Sequence, residues 1–185
     1  WATSVPVSYV ARVFPIGPFT APDSALLLVL AKLLRAGYLH REIREKGGAY
    51  GGMASCDPEA GIFCLLSYRD PQLVRTLNVF REAVDWASSG GFSDTEIKEA
   101  ILAVFGDLDR PISPASKGLR EFACRRQRLT LEMRQALRGR VLAADRTSLQ
   151  RVAGKYLDQG WNRSAVGVVS GEEALRQANL ELPDL

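Results

Sequence analysis

The sequence predicts an α+β domain, an antiparallel β-sheet covered on one face by α-helices. Three observations lead there. Residues Val5 to Val13 alternate, with Val5, Val7, Tyr9, Ala11 and Val13 apolar and Ser8 and Arg12 between them, the period of a half-buried strand. Two further strand-like runs, Ala49 to Cys56 and Ile62 to Tyr68, are joined by Asp57-Pro58-Glu59-Ala60-Gly61, which has the chemistry of a hairpin loop. After them, amphipathic helical stretches follow one another without alternating with strands, which speaks against a parallel doubly wound sheet.

Each element has its own signal. The first strand is expected to turn its odd positions to the helices and Ser8 and Arg12 outward. Pro15, Gly17 and Pro18 break it, and Pro22 suits the first turn of a helix whose Leu26, Leu27, Leu30, Leu33 and Leu34 fall at helical spacing. Gly37 is expected to end or bend that helix, with a second helical turn through His40 to Glu45 and a stop at Gly47 and Gly48. The hairpin follows. Asp70-Pro71 then opens a helix with Leu73, Val74, Leu77, Phe80 and Val84 on one stripe, closed by Gly90 and Gly91. Ser93 and Glu96 have capping-box spacing ahead of another amphipathic helix through Phe105. Beyond the loop Asp109 to Pro114 lies an Arg-rich helical stretch, Ala115 to Arg128, after which Thr130 caps a helix toward Arg140 and Asp145 one toward Leu157. Ala165 to Val169 reads as the last strand, and Ser170 with Glu173 repeats the capping-box spacing before a short final helix. With no repeat, low-complexity tract or linker, residues 1–185 are expected to form a single domain.

Composition excludes several classes. At 185 residues the chain is long enough to hide about 70% of its unfolded surface, and 46% hydrophobic with 24% charged residues is the balance of a folded protein. The longest apolar run, Ala25 to Ala31, is far short of the roughly 20 residues of a membrane span, so no membrane partner is expected. Trp1 in place of Met, with strand alternation starting at once, is how a fragment with further motifs upstream would begin. Three cysteines, Cys56, Cys64 and Cys124, make no disulfide framework and point to a reducing compartment, the cytoplasm or an organelle matrix. Arg and Ala usage with little Lys suggests a GC-rich bacterial genome and hence the bacterial cytoplasm. Cys56 and Cys64 flank the hairpin turn and could face each other, with two small buried thiols the expected reading.

Chemistry-bearing motifs are few. His40 is the only histidine, and neither HExxH nor HxxEH is present, so this chain is expected to bind no metal by itself. There is no Walker A sequence and no G-x-S-x-G elbow. Gly47, Gly48, Gly51 and Gly52 surround Ala49 and Tyr50, and two readings stay open: close backbone packing at a helix stop, or a strand presenting its backbone to an extended ligand. The net charge of +3 is mild. Arg120, Arg125, Arg126, Arg128, Arg134, Arg138 and Arg140 lack interleaved aromatics, and a solvated helical face is expected in preference to a nucleic-acid surface; lining a peptide chamber is a third reading.

One run is specific. Tyr38-Leu39-His40-Arg41-Glu42-Ile43-Arg44-Glu45-Lys46-Gly47-Gly48-Ala49-Tyr50-Gly51-Gly52 resembles the signature in the C-terminal half of the presequence-protease type of pitrilysin/insulysin zinc metallopeptidases. Ser67-Tyr68-Arg69-Asp70-Pro71, Glu132-Met133-Arg134-Gln135 and Val168-Val169-Ser170-Gly171 are similar to the same family in the same order. The resemblance implies a C-terminal substrate-binding domain of a peptidase that degrades unfolded peptides between two homologous halves. The zinc cofactor and its HxxEH motif would belong to the N-terminal half, in the same polypeptide or a partner chain. It further implies that Arg44 and Tyr50 reach into the shared site, where a guanidinium and a phenol can both donate to a peptide carbonyl. A non-catalytic structural or interaction domain of the same fold is the alternative.

Overall fold

The computed structural model describes residues 1–182. Four strands, β1 (Ser8–Pro15), β2 (Gly51–Asp57), β3 (Ile62–Asp70) and β4 (Ala165–Val169), form one sheet in the order β2-β3-β1-β4, antiparallel throughout. The expected α+β architecture is present. Helices α1 (Ser24–Leu34), α2 (Leu73–Ser89), α3 (Asp94–Leu108), α5 (Leu131–Leu142) and α6 (Arg146–Val152) contribute buried residues to the one core cluster. Two π-helical segments extend α1 and α6, Arg35–Glu45 and Ala153–Asp158. In α4 (Pro114–Arg126) no residue is buried and Arg120, Arg125 and Arg126 are exposed as expected, whereas Arg134, Arg138 and Arg140 of α5 are half-buried; α7 (Glu172–Glu181) follows β4.

The phase of β1 is opposite to the expectation. Ser8, Val10, Arg12 and Phe14 are buried, whereas Tyr9, Ala11 and Val13 lie on the face without helices. Both sets contain apolar residues, so alternation alone does not say which side the helices take. Partners distant in sequence decide it: Arg12 Nη1 donates to Ser164 Oγ at 2.7 Å, the Arg12 guanidinium stacks 3.8 Å from the Trp161 ring centroid, and Ser8 Oγ shares a hydrogen bond with Ser170 Oγ at 2.8 Å. A cation–π contact in a desolvated setting contributes about 2 kcal/mol and a charged hydrogen bond about 1.5–3 kcal/mol, enough to hold a guanidinium without a carboxylate. Burial and the nearby Arg81 push the Arg12 pKa below its ordinary value.

Three smaller expectations also change. Gly37 does not end the helix, which runs on through it in π form, and a Cβ at Gly37 would lie 2.7 Å from Trp86 Cη2. The glycine makes room for an indole. Ser170 does not cap α7, since its hydroxyl is taken by Ser8 and Gly171 stands at the cap. Cys56 pairs with Phe63 and Cys64 with Ser55, so the two thiols project from opposite faces. All three cysteines are free, and burial, then Asp57, pushes the Cys56 thiol up to about 12.

Candidate functional site

The segment that carries Arg44 is π-helical at its end, where the Lys46 N–H donates to the Arg41 carbonyl five residues back at 3.0 Å. Such widened turns concentrate at functional sites. The helix lies directly on β2: a Cβ at Gly52 would come within 2.6 Å of the Leu39 carbonyl oxygen and 2.8 Å of Ile43 Cβ. Leu39 and Ile43 are fully buried by this approach, which leaves the neighbouring Arg44 on the exposed side. Gly48, at φ +77°, turns the chain, and the Gly48 and Ala49 N–H groups donate to the Arg44 and Ile43 carbonyls at 3.1 Å each. Tyr50 follows, 69% exposed, immediately before β2, which is an edge strand. Close packing thus accounts for Gly47 and Gly52 and the positive φ for Gly48, but a Cβ at Gly51 would meet nothing within 4 Å.

The charges around the helix end sort themselves. Glu42 Oε1 accepts from Arg41 Nε at 2.9 Å and Lys46 Nζ at 2.8 Å, and Arg75 Nη2 lies 3.8 Å from Glu42 Oε2. The Lys46 and Arg41 hydrogen bonds hold the Glu42 carboxyl below its ordinary range against the opposing effect of burial. Arg44 stands apart: among the described residues it has no carboxylate partner, only His40, 3.3 Å from Nη1 to Nε2. A guanidinium can only donate, so His40 Nε2 accepts and its proton sits on Nδ1, which faces Glu45 Oε1 at 3.2 Å. His40 therefore orients Arg44 without neutralising it.

Zinc does not fit here. His40 is already engaged by a guanidinium, and no cluster of three or more His, Cys, Asp or Glu side chains suited to a metal occurs among the described residues. Tyr68, 43% exposed, is a site neighbour that sequence reasoning singled out only within a resembling motif; its ring meets Tyr50 edge-on at 5.8 Å and 70°. No local pattern marks that contact, because it joins a loop to a strand across the hairpin. Among the described residues no helix is long and apolar enough to cross a membrane.

Comparison with known proteins assigns the chain to a family. Residues 6–172 match the family described as "PreP C-terminal domain". The chain is 43% identical over 169 residues to the mitochondrial presequence protease of Mus musculus, covering 91% of this chain and 16% of that protein, and 44% identical over 158 residues to that of Emericella nidulans, covering 85% and 15%. It thus spans about a sixth of the length of these curated relatives. Among solved structures, a protease from Helicobacter pylori superposes with a TM-score of 0.75 at 18% identity, covering 91% of this chain and 42% of that one. Pitrilysin superposes at 0.62 and 16% identity, covering 91% and 19%, so the fold is that of these peptidase domains. With a family match running through nearly every element from β1 to the start of α7, the chain belongs to the PreP C-terminal domain family.

Proposed function

We propose that residues 1–185 are the substrate-binding C-terminal domain of a zinc metalloendopeptidase that degrades unfolded peptides. The observation that carries this reading is that one helix-to-strand junction exposes both a guanidinium without a carboxylate, Arg44, at the helix end and a phenol, Tyr50, just before the strand. The names of the curated relatives support it. Zinc and its ligands belong to another domain in this reading, which supplies water activation; this chain supplies hydrogen-bond donors. Tyr50 Oη donates to the scissile carbonyl oxygen and gains strength as negative charge develops there, while Arg44 anchors the peptide through a neighbouring carbonyl. The partners are an unfolded peptide and the catalytic half, with no role for nucleic acid or membrane. The relatives' mitochondrial names support an organelle matrix, whereas the bacterial cytoplasm rests on composition alone.

The test uses the full-length enzyme and an unstructured fluorogenic peptide. Tyr50→Phe is expected to lower kcat roughly a hundredfold, by analogy with loss of an oxyanion donor, with unchanged folding. Arg44→Ala is expected to raise KM as well as lower kcat, because it removes an anchor. Wild-type kcat/KM in both variants would defeat the reading in favour of a non-catalytic interaction domain.

A further inference from the structure

Tyr50 is exposed, so its orientation must be set by its few contacts, and these converge on one irregularity of the sheet. The Tyr50 N–H donates to the Arg69 carbonyl at 3.4 Å, and its ring meets the Tyr68 edge. Tyr68 is braced from behind by Tyr9, with centroids 5.3 Å apart at 75°. Pairing of β1 with β3 shifts at this point: Ser8 is opposite Asp70 and Val10 opposite Ser67, leaving Tyr9 alone against both Tyr68 and Arg69. That extra residue is a β-bulge, a device that re-aims side chains beside active sites.

The bulge is strained and clamped. Arg69 has φ +51°, a left-handed conformation uncommon for a residue with a Cβ, and its side chain is exposed, with no ion pair among the described residues to offset the strain. Both flanks are fixed. Ser67 is buried beneath the sheet, and the buried Asp70 accepts from the Gln72 N–H at 2.8 Å and from Thr76 Oγ1, tying the strand end to α2. Between these two anchors Tyr68 turns outward toward Tyr50, and the Arg69 carbonyl turns toward the Tyr50 N–H. We infer that the Tyr68–Arg69 bulge of β3 is the positioning device for Tyr50, holding its backbone through Arg69 and its ring through the Tyr68–Tyr9 pair. This rests on the assignment of Tyr50 above. It makes Tyr68 a positioning residue, whereas a Tyr68 that merely covers the open sheet face would affect folding or binding without acting through Tyr50.

A double-mutant cycle in the full-length enzyme separates the two, with an unstructured fluorogenic peptide as substrate. Tyr68→Leu is expected to lower kcat roughly tenfold with KM within about twofold, and in the Tyr50→Phe background to cost no more than about twofold further. Tyr68→Phe, which keeps the aromatic edge, and Arg69→Gly, which keeps the left-handed backbone, are expected to retain wild-type kcat. The inference is overturned if Tyr68→Leu leaves kcat unchanged, raises only KM, or slows Tyr50→Phe as much as it slows wild type. Loss of kcat in Tyr50→Phe alongside any of these would leave the reading of Tyr50 standing, and wild-type kcat in Tyr50→Phe would remove both. Should Tyr68→Leu fail to fold, Tyr9→Leu, one contact further back, enters the same cycle under the same criteria.

Discussion

Gly52 and Gly51 are adjacent and chemically identical, and the sheet gives them different work. At Gly52 a methyl group would run into the Leu39 carbonyl and Ile43, fixed parts of the helix that bears Arg44. Because the obstacle is backbone, neither partner can rotate away. Gly52→Ala is therefore expected to destabilise the protein by about 1–3 kcal/mol, whereas Gly51→Ala is expected to stay within about 0.5 kcal/mol. Urea denaturation of both variants checks this, and equal effects would contradict it. The sequence showed four glycines and two readings for them. Three are explained by packing and a positive φ; which three became legible only when the helix lay on the strand. Arg12 makes the same point, since a charge expected in water is 7% exposed and lies against an indole far away in the chain.

At the scale of elements, local signals were read correctly where the partners are local. Ser93 and Glu96 form the expected reciprocal cap on α3, and the Thr130 hydroxyl accepts from the Met133 N–H at 3.3 Å. Ser170 has the same spacing with Glu173, yet Ser8 takes its hydroxyl. The start of α1 is held by a contact of the same long-range kind. Buried Asp23 accepts from Arg151 Nη2 at 2.7 Å, Lys155 Nζ at 2.8 Å and Tyr156 Oη at 3.1 Å, joining α1 to α6 and its π extension. These hydrogen bonds, that of Arg151 foremost, hold the Asp23 carboxyl well below the usual range although burial opposes them. A depressed folded-state pKa gives a stabilisation fully present above the unfolded value near 4 and lost as pH falls through the folded one. Asp23→Asn is expected to cost about 2 kcal/mol at pH 7, with the difference from wild type shrinking below about pH 4. Chemical denaturation at pH 7 and pH 3 measures it; a difference that grows in acid would contradict the network's role.

For the whole molecule, the informative quantity is what this stretch of chain can supply. One histidine, already bonded to Arg44, and cysteines projecting from opposite faces of a hairpin give no three converging ligands among the described residues. The isolated chain is expected to retain no stoichiometric zinc after dialysis and to cleave no peptide, as read by elemental analysis and chromatography of an unstructured peptide. Bound zinc together with peptidase activity would overturn the division of labour proposed between this domain and a catalytic half.

By itself the sequence determined the α+β class, the strand hairpin, most helix starts and the run from Tyr38 to Gly52 that carries the family resemblance. Those features depend on periodicity, turn residues and caps, whose interacting atoms lie within a few residues of one another. Only the tertiary structure decided which face of β1 is buried, that α1 continues past Gly37, and that a strained bulge at Arg69 stands behind Tyr50. Each of these is an outcome of competition between contacts distant in sequence, Trp161 for Arg12, Trp86 at Gly37 and Tyr9 against Tyr68, and a chain read residue by residue contains the competitors without showing which of them meet.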